Sequence, residues 1–560
     1  MKKTLIIAFA FQYVFLCADT TVTALNNIHH FFGSGTNNRT IIDTIQLPSN
    51  NDDYQRILMH INLTCPTDGC DPWDRKASIS VKHLNEWYEI GRYVTPYGVG
   101  CGWTLDVTDY RSVLKGEISL SSFIDTWVQP AWLVTIEFEY ISGIADHPFT
   151  VVRNMWNDSY IVYGDSINPI NIQPITEYIP DDAQSTYLRV ITTGHGQGNT
   201  DNAAEFSQKI HQIYLNNVFL FDHDFWRNDC QNNTCSPQYG TWQYSRAGFC
   251  PGDIVEPQDF DLSPFVVQGD TATLSYILED YFNECSPNNP SCINGVTCAS
   301  CNYNYTGHTE PNYFIASHLI IHTANNHSNA DAYVTISEDS LSGALEIAVE
   351  NYVPIYGIQF DIDVNNLEGE NLNGLQFQNG FSGRAEAVGW TVSMSELGRM
   401  VALSQNTGEP LPAGEGILTY IPWDHNDLPE IQGSISITNI YVSGYFGSEL
   451  SHEIGPKYNF GNILRLDKSG YPKNHHLLPA FPNPFNPTTT IPFHVSNDQI
   501  FDLDIYDING KKIQSLLKNV ELQMGEHQIR WNANKFGSGL YFVQLKNNKN
   551  ILTQKIMLLK

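Results

Sequence analysis

The chain has 560 residues and carries 60 acidic against 30 basic side chains, a net charge of −30, with an isoelectric point near 4.8. Such an excess of carboxylates repels phosphate, which excludes nucleic acid and anionic membrane surfaces as partners. At about 100–200 residues per domain the length allows three or four domains, each able to bury its own core.

In chain order, Lys2 and Lys3 precede an apolar run, Leu5 to Leu16, that is too short to span a bilayer, and Val22-Thr23-Ala24 offers small residues for cleavage. Residues 1–24 are therefore expected to be a signal peptide. Cys17 follows Leu16, where lipidation wants a small residue, so a lipid anchor is not expected. Removing this segment takes one of 11 cysteines and leaves an even number in a chain bound for an oxidising compartment.

Next, Cys65 and Cys70 bracket a four-residue spacer that suits a local disulfide, and Trp73-Asp74-Arg75 follows just before a strand-like run, Ala77–Val81. A ring face, a carboxylate and a guanidinium side by side supply a stacking platform, a proton carrier and a charge clamp, which hydrolysis of a sugar-bearing amide requires. Phe123-Ile124-Asp125-Thr126-Trp127 repeats the pairing of acid and tryptophan, and Glu205-Phe206 sets a carboxylate beside a ring. Val134, Ile136, Phe138 and Tyr140 alternate with Thr135, Glu137 and Glu139, the period of a half-buried strand. Turn residues punctuate similar runs throughout and helical periodicity is scarce, so the expected fold class is all-β, built of antiparallel sandwiches.

Farther on, Cys285, Cys292, Cys298 and Cys301 form a cluster whose last two members are a C-x-x-C pair. Zinc is the competing reading, but export favours disulfides. Cys101 and Cys235 have no partner that spacing assigns. Residues 330–455, with Ile358, Phe360, Ile362 and Val364 alternating with polar neighbours, read as a further sandwich. A Pro-rich extended linker then introduces a small β-sandwich over residues 475–560.

The segments "CDPWDRKASISVK", "EWYEIGRYVTPYG", "LDVTDYRSVLKG", "NAAEFSQKIHQIYLNN" and "SRAGFCPGD" occur in this order, and as a set they resemble the peptide-N-glycosidase F family over roughly residues 27–325. The resemblance implies two tandem eight-stranded jelly rolls, residues 25–170 and 171–327, with a groove between them. It implies an amidase that removes N-linked glycans, with Asp74 and Glu205 facing each other across the groove. Asp125 joins them as a catalytic residue, and Trp73, Arg75, Trp127, Phe206 and Arg246 bind substrate. It also pairs Cys230 with Cys250, while the family's cysteines flanking the motif glutamate are replaced by Ala203 and Ser207. Asp125 stands where the family has glutamate and Phe206 where it has tryptophan.

The stretch "IYGIQFDIDV" to "PAGEGILTYIPW" is similar to cohesin-like domains, which implies a carbohydrate or protein ligand for residues 330–455 or a spacer role. "LPAFPNPFNPTTTIPF", "LDIYDINGKKI", "GEHQIRWNA" and "SGLYFVQL" resemble the type A sorting domain of the type IX secretion system, which makes that machinery an expected partner and the cell surface or medium the destination. A monomer with no cofactor and no metal is expected. Two rivals share the fold. A copper monooxygenase would need clustered histidines, yet His195, His211, His223, His308, His318 and His322 contain no H-x-H pair. A non-catalytic glycan-binding protein would not need Asp74 and Glu205 together.

Overall fold

The computed structural model describes residues 19–49, 54–292, 310–339, 342–366, 368–372, 375–395, 398–404, 408–424, 433–460, 475–478, 480, 482–495, 499–508, 510–523, 525–547 and 551–560. They fall into two compact units, one running to Ala330 and one from Asp331. Nearly every element is a β-strand.

The first unit holds two sandwiches. In the first, a sheet ordered Thr36–Asn38, Thr20–Gly33, Trp132–Ser142, Tyr54–Thr64, Cys101–Asp106 faces one ordered Asp253–Ile254, Glu86–Val94, Lys76–His83, Glu117–Ile124, Thr40–Gln46. The alternation read in the sequence is the packing pattern: Val134, Ile136, Phe138 and Tyr140 are fully buried and share one core with Ile57, Met59, Ile79 and Leu120. Each such side chain contributes about 1.5–3 kcal/mol on burial. A one-residue slip would turn the whole set into water, which fixes the register.

The second sandwich has sheets ordered Phe149–Val162, Asn312–Thr323, Ala183–His195, Gln258–Asp261 and Ile175–Ile179, Asp270–Ile277, Ile210–Leu215, Val218–Asp224. Strand Ala183–His195 loses its alternation and is continuously buried from Leu188 to Gly194, because its second face is covered by the first sandwich. Arg92, in strand Glu86–Val94, ties the two together. Its Nε and Nη2 bond Glu89 at 2.6 and 3.0 Å, while Nη1 donates to Phe314 O at 2.7 Å and Thr193 Oγ1 at 3.2 Å. Asp253–Ile254 adds an edge strand to the first sandwich by pairing with Tyr93 and Val94. A disulfide joins Cys101 to Cys235 across the two sandwiches.

Cys65–Cys70 and Cys230–Cys250 are bonded, and Cys285 and Cys292 are both in disulfides. Cys298 and Cys301 lie outside the described residues, as do Lys2 to Leu16 and His308. Two boundaries differ from the sequence reading. Strand Phe149–Val162 falls inside 25–170, yet it pairs with Asn312–Thr323 of the second sandwich. Residues 20–24, expected in the signal peptide, are strand, with Thr20 opposite Tyr140 and Val22 opposite Phe138. Alternation specifies which face of a strand is buried and says nothing of its neighbour, which is why a strand next to a boundary is easily given to the wrong sheet.

In the second unit, sheets ordered Gly414–Ile421, Leu345–Asn351, Ala332–Glu338, His452–Ile454 and Trp390–Met394, Arg399–Ser404, Gly357–Asn366, Gly433–Ser443, Tyr458–Phe460 enclose a core that includes Ile358, Phe360, Ile362 and Val364. The C-terminal part has a three-stranded sheet, His476–Leu477, Thr488–Val495, Gly525–Asn532, and a four-stranded sheet, Lys512–Leu522, Gln499–Tyr506, Gly539–Lys546, Ile551–Leu558. Its core is separate and built around Trp531, Phe493 and Leu503.

Candidate functional site

The loop that delivers Trp73-Asp74-Arg75 is organised by a residue that the sequence reading passed over. Asp71 is fully buried. One carboxylate oxygen accepts from Arg75 Nε and Thr126 Oγ1, both at 2.7 Å, and the other accepts from the Trp73 amide at 3.0 Å and Arg75 Nη2 at 3.3 Å. The Asp71 carbonyl also accepts from Gly98 N at 3.0 Å. One carboxylate therefore fixes the turn before Asp74, the segment between Asp125 and Trp127, and the turn after Tyr97. Arg75 directs its fork to Asp71 rather than to the adjacent Asp74, so it anchors the loop.

Asp74 lies within electrostatic reach of the Tyr97 hydroxyl and of Arg246. That hydroxyl accepts from Arg246 Nη2 at 3.3 Å, and Nη2 also reaches Thr241 O at 3.0 Å. Arg246 Nη1 donates to Glu205 Oε1, and Glu205 Oε2 accepts from Gly196 N at 3.1 Å. The result is one network, Asp74–Tyr97–Arg246–Glu205, in which a buried guanidinium serves both carboxylates. The backbone holds it closely: Ala247 N donates to Glu205 O at 3.0 Å, and a Cβ at Gly194 would fall 1.8 Å from Ala204 O, so only glycine lets the strand end approach the Glu205 loop. A Cβ at Gly240 would lie 2.6 Å from the Tyr97 ring. That glycine, at φ +81°, is the floor on which Tyr97 packs.

Burial dominates the electrostatics. It raises the Asp74 carboxyl above its ordinary value against the pull of Arg246 and Tyr97. It pushes Glu205 up to about 7, with Arg246 opposing and the Asp74 charge assisting. Two carboxylates beside one cation, both held toward the protonated form, are arranged to exchange protons.

Asp125 and Trp127 form a second cluster. Arg39 Nη1 bonds Asp125 at 3.1 Å, and its guanidinium lies over the Trp127 ring at 4.2 Å and the Phe32 ring at 5.1 Å. Asp125 remains 41 % exposed. Among the described residues no hydrogen bond or ion pair joins it to the Asp74–Glu205 network. Trp73 and Trp127 are exposed by 60 % and 54 %, large flat surfaces open to a ligand. Phe206 has its ring under the Arg246 guanidinium, 4.8 Å from the centroid, so it backs the arginine.

Asp71, Tyr97, Arg39 and Thr241 are absent from the sequence reading. Tyr97 lies in one of the motifs, but its role depends on contact with Arg246, which no spacing reveals. The histidines of the second sandwich are mostly core residues: His211, His223 and His318 are buried, and burial holds all three well below the ordinary imidazole value.

The sequence profiles described as "Peptide-N-glycosidase F, N terminal" and "Peptide-N-glycosidase F, C terminal" match residues 80–140 and 163–296, and "Secretion system C-terminal sorting domain" matches residues 479–559. Over 286 residues the chain is 30 % identical to peptide-N(4)-(N-acetyl-beta-D-glucosaminyl)asparagine amidase F of Elizabethkingia miricola, covering 48 % of this chain and 80 % of the relative. Among solved structures it is similar to PNGase F, a glycosylasparaginase from Flavobacterium meningosepticum, at 26 % identity and a TM-score of 0.48, covering 56 % of this chain and 98 % of that one. It is also similar to PNGF-II, at 16 % identity and a TM-score of 0.41, covering 55 % and 66 %.

Proposed function

The chain belongs to the peptide-N-glycosidase F family, and on that premise we propose that it is a secreted amidase that hydrolyses the bond between asparagine and the first N-acetylglucosamine of N-linked glycoproteins. The observation that carries the reading is the pair of half-buried carboxylates, Asp74 and Glu205, gathered around the buried Arg246. In the reaction, water oxygen adds to the side-chain carbonyl carbon, the C–N bond breaks, and the leaving nitrogen takes a proton. The products are aspartate and a glycosylamine.

Water is a weak nucleophile and an amide nitrogen leaves poorly, so protons must move both ways. Asp74 acts as the general acid/base, a contribution of about 10²–10⁴-fold. Glu205 holds the water or orients the core sugar. Arg246 stabilises charge developing on the carbonyl oxygen, an effect of order 10²–10³. Trp73 and Trp127 offer faces to sugar rings, and Asp125 is set beside them by Arg39. Arg75 serves through Asp71, by fixing the loop.

The sorting domain directs the protein through the type IX secretion system to the cell surface or the medium. The sandwich of residues 330–455 is read as cohesin-like on its strand patterning, a spacer or a receptor for a carbohydrate or protein ligand.

The test is incubation of the full chain with a denatured N-glycoprotein. We expect a mobility shift and conversion of the glycosylated asparagine to aspartate, both abolished in Asp74→Asn, which is isosteric but cannot carry the proton. A folded variant that keeps more than a tenth of wild-type turnover removes Asp74 from the acid/base role.

A further inference from the structure

Lys76 follows Asp74 by two positions and opens strand Lys76–His83. On the neighbouring strand its counterpart is Asp125, whose amide donates to Lys76 O at 3.0 Å. Its ammonium sits 3.4 Å from the Phe314 ring centroid and 5.5 Å from that of Phe123, and it makes no hydrogen bond or ion pair to a described residue. The charged and titratable groups around it are engaged elsewhere. Both oxygens of Glu89 bond Arg92, Asp125 bonds Arg39, and His195 bonds Thr193 Oγ1 at 3.0 Å. The half-buried ammonium feels Glu89 and Asp125 at a distance without bonding either. Ring contacts worth about 0.5–2 kcal/mol leave its three donors available to a ligand that displaces water.

Its position relates it to the site. Arg246 lies 5.4 Å from the Phe249 ring, Phe249 stacks on His195 at 5.0 Å, and His195 meets Phe314 at 5.3 Å. These contacts form a contiguous chain of packed side chains from Arg246 to Lys76. Beyond Lys76 lie Asp125, Arg39 and the exposed Trp127.

We propose that Lys76 is a substrate-binding residue, donating hydrogen bonds to oxygen atoms of the innermost N-acetylglucosamine pair and spanning the gap between the Asp74–Glu205–Arg246 network and the Trp127 platform. The assignment rests on the amidase reading above. Burial and the nearby Arg92 lower the ammonium to about 8, with Glu89 and Asp125 opposing, so binding is present below that pH and is lost as the amine deprotonates.

The experiment compares wild type, Lys76→Met and Lys76→Arg in the full chain, using an N-glycopeptide substrate and free N,N′-diacetylchitobiose as ligand. A hydrogen bond from a charged donor is worth about 1.5–3 kcal/mol, roughly 10–100-fold. Lys76→Met should therefore raise KM and weaken chitobiose binding by at least about tenfold while kcat changes little. Wild-type kcat/KM should fall above about pH 8, and Lys76→Arg should bind chitobiose and carry activity past that pH. Equal chitobiose affinity in wild type and Lys76→Met overturns the proposal whether or not the wild type is active. So does an alkaline limb unchanged in Lys76→Arg. An inactive wild type that binds chitobiose through Lys76 overturns the amidase reading alone.

Discussion

Replacing Asp71 with asparagine tests whether one buried carboxylate holds the site together. The side chain keeps its size and one acceptor oxygen, but an NH2 group then confronts either Arg75 Nε and the Thr126 hydroxyl or Arg75 Nη2 and the Trp73 amide, which donate to the carboxylate. Two charge-assisted bonds to Arg75 are lost or weakened, at about 1.5–3 kcal/mol each. Arg75 is 18 % exposed, so water recovers part of that, and the net cost should be about 2–4 kcal/mol. At about 2–4 °C per kcal/mol for a domain of this class, calorimetry should show the first unit melting about 4–16 °C lower. Activity should suffer more than stability, because Asp71 places Asp74, Tyr97 and Asp125 together, and a displacement of about 1 Å costs about 100-fold. The assay is kcat/KM on a glycopeptide at a temperature where calorimetry shows the variant folded. A variant with wild-type melting and activity within twofold would refute the organising role.

A pH series on Glu205→Gln reads the buried acid directly. A folded-state value near 7, above the ordinary 4.5, gives stability that is fully present below the unfolded value and lost as pH rises through about 7. The stability of the variant relative to wild type should therefore improve between pH 5 and pH 8, and a difference independent of pH refutes the raised value. Deleting residues 475–560, which have their own core, should leave amidase activity intact and strand the protein in the periplasm; normal surface or medium levels would remove the export role. N-terminal sequencing of the exported protein should begin at or before Thr20, because residues 20–24 are strand. A start at Leu25 would show that this pairing is dispensable.

The sequence discloses the fold where one face of a strand is wet. Trp132–Ser142 and Gly357–Asn366 alternate in burial as they alternate in residue type. It is silent where both faces are covered, as from Leu188 to Gly194, since a continuously buried run says nothing of what covers it. The candidate site divides in the same way. Asp74, Glu205 and Arg246 lie in motifs and come close in the structure, whereas Asp71 acquires its role from Thr126, distant in sequence, and Arg39 from Asp125 and Trp127. Cys101 and Cys235, separated by 134 positions, could not be matched by spacing, because their proximity exists only once both sandwiches have formed.

That cross-link bears on the route of export. A chain closed on itself over 134 residues cannot pass through a pore as a single extended thread. If the bond forms in the oxidising space beyond the inner membrane, then the cargo presented to the outer membrane is already a closed, shaped body, and the machinery that reads the C-terminal domain must offer an opening as wide as the paired sandwiches.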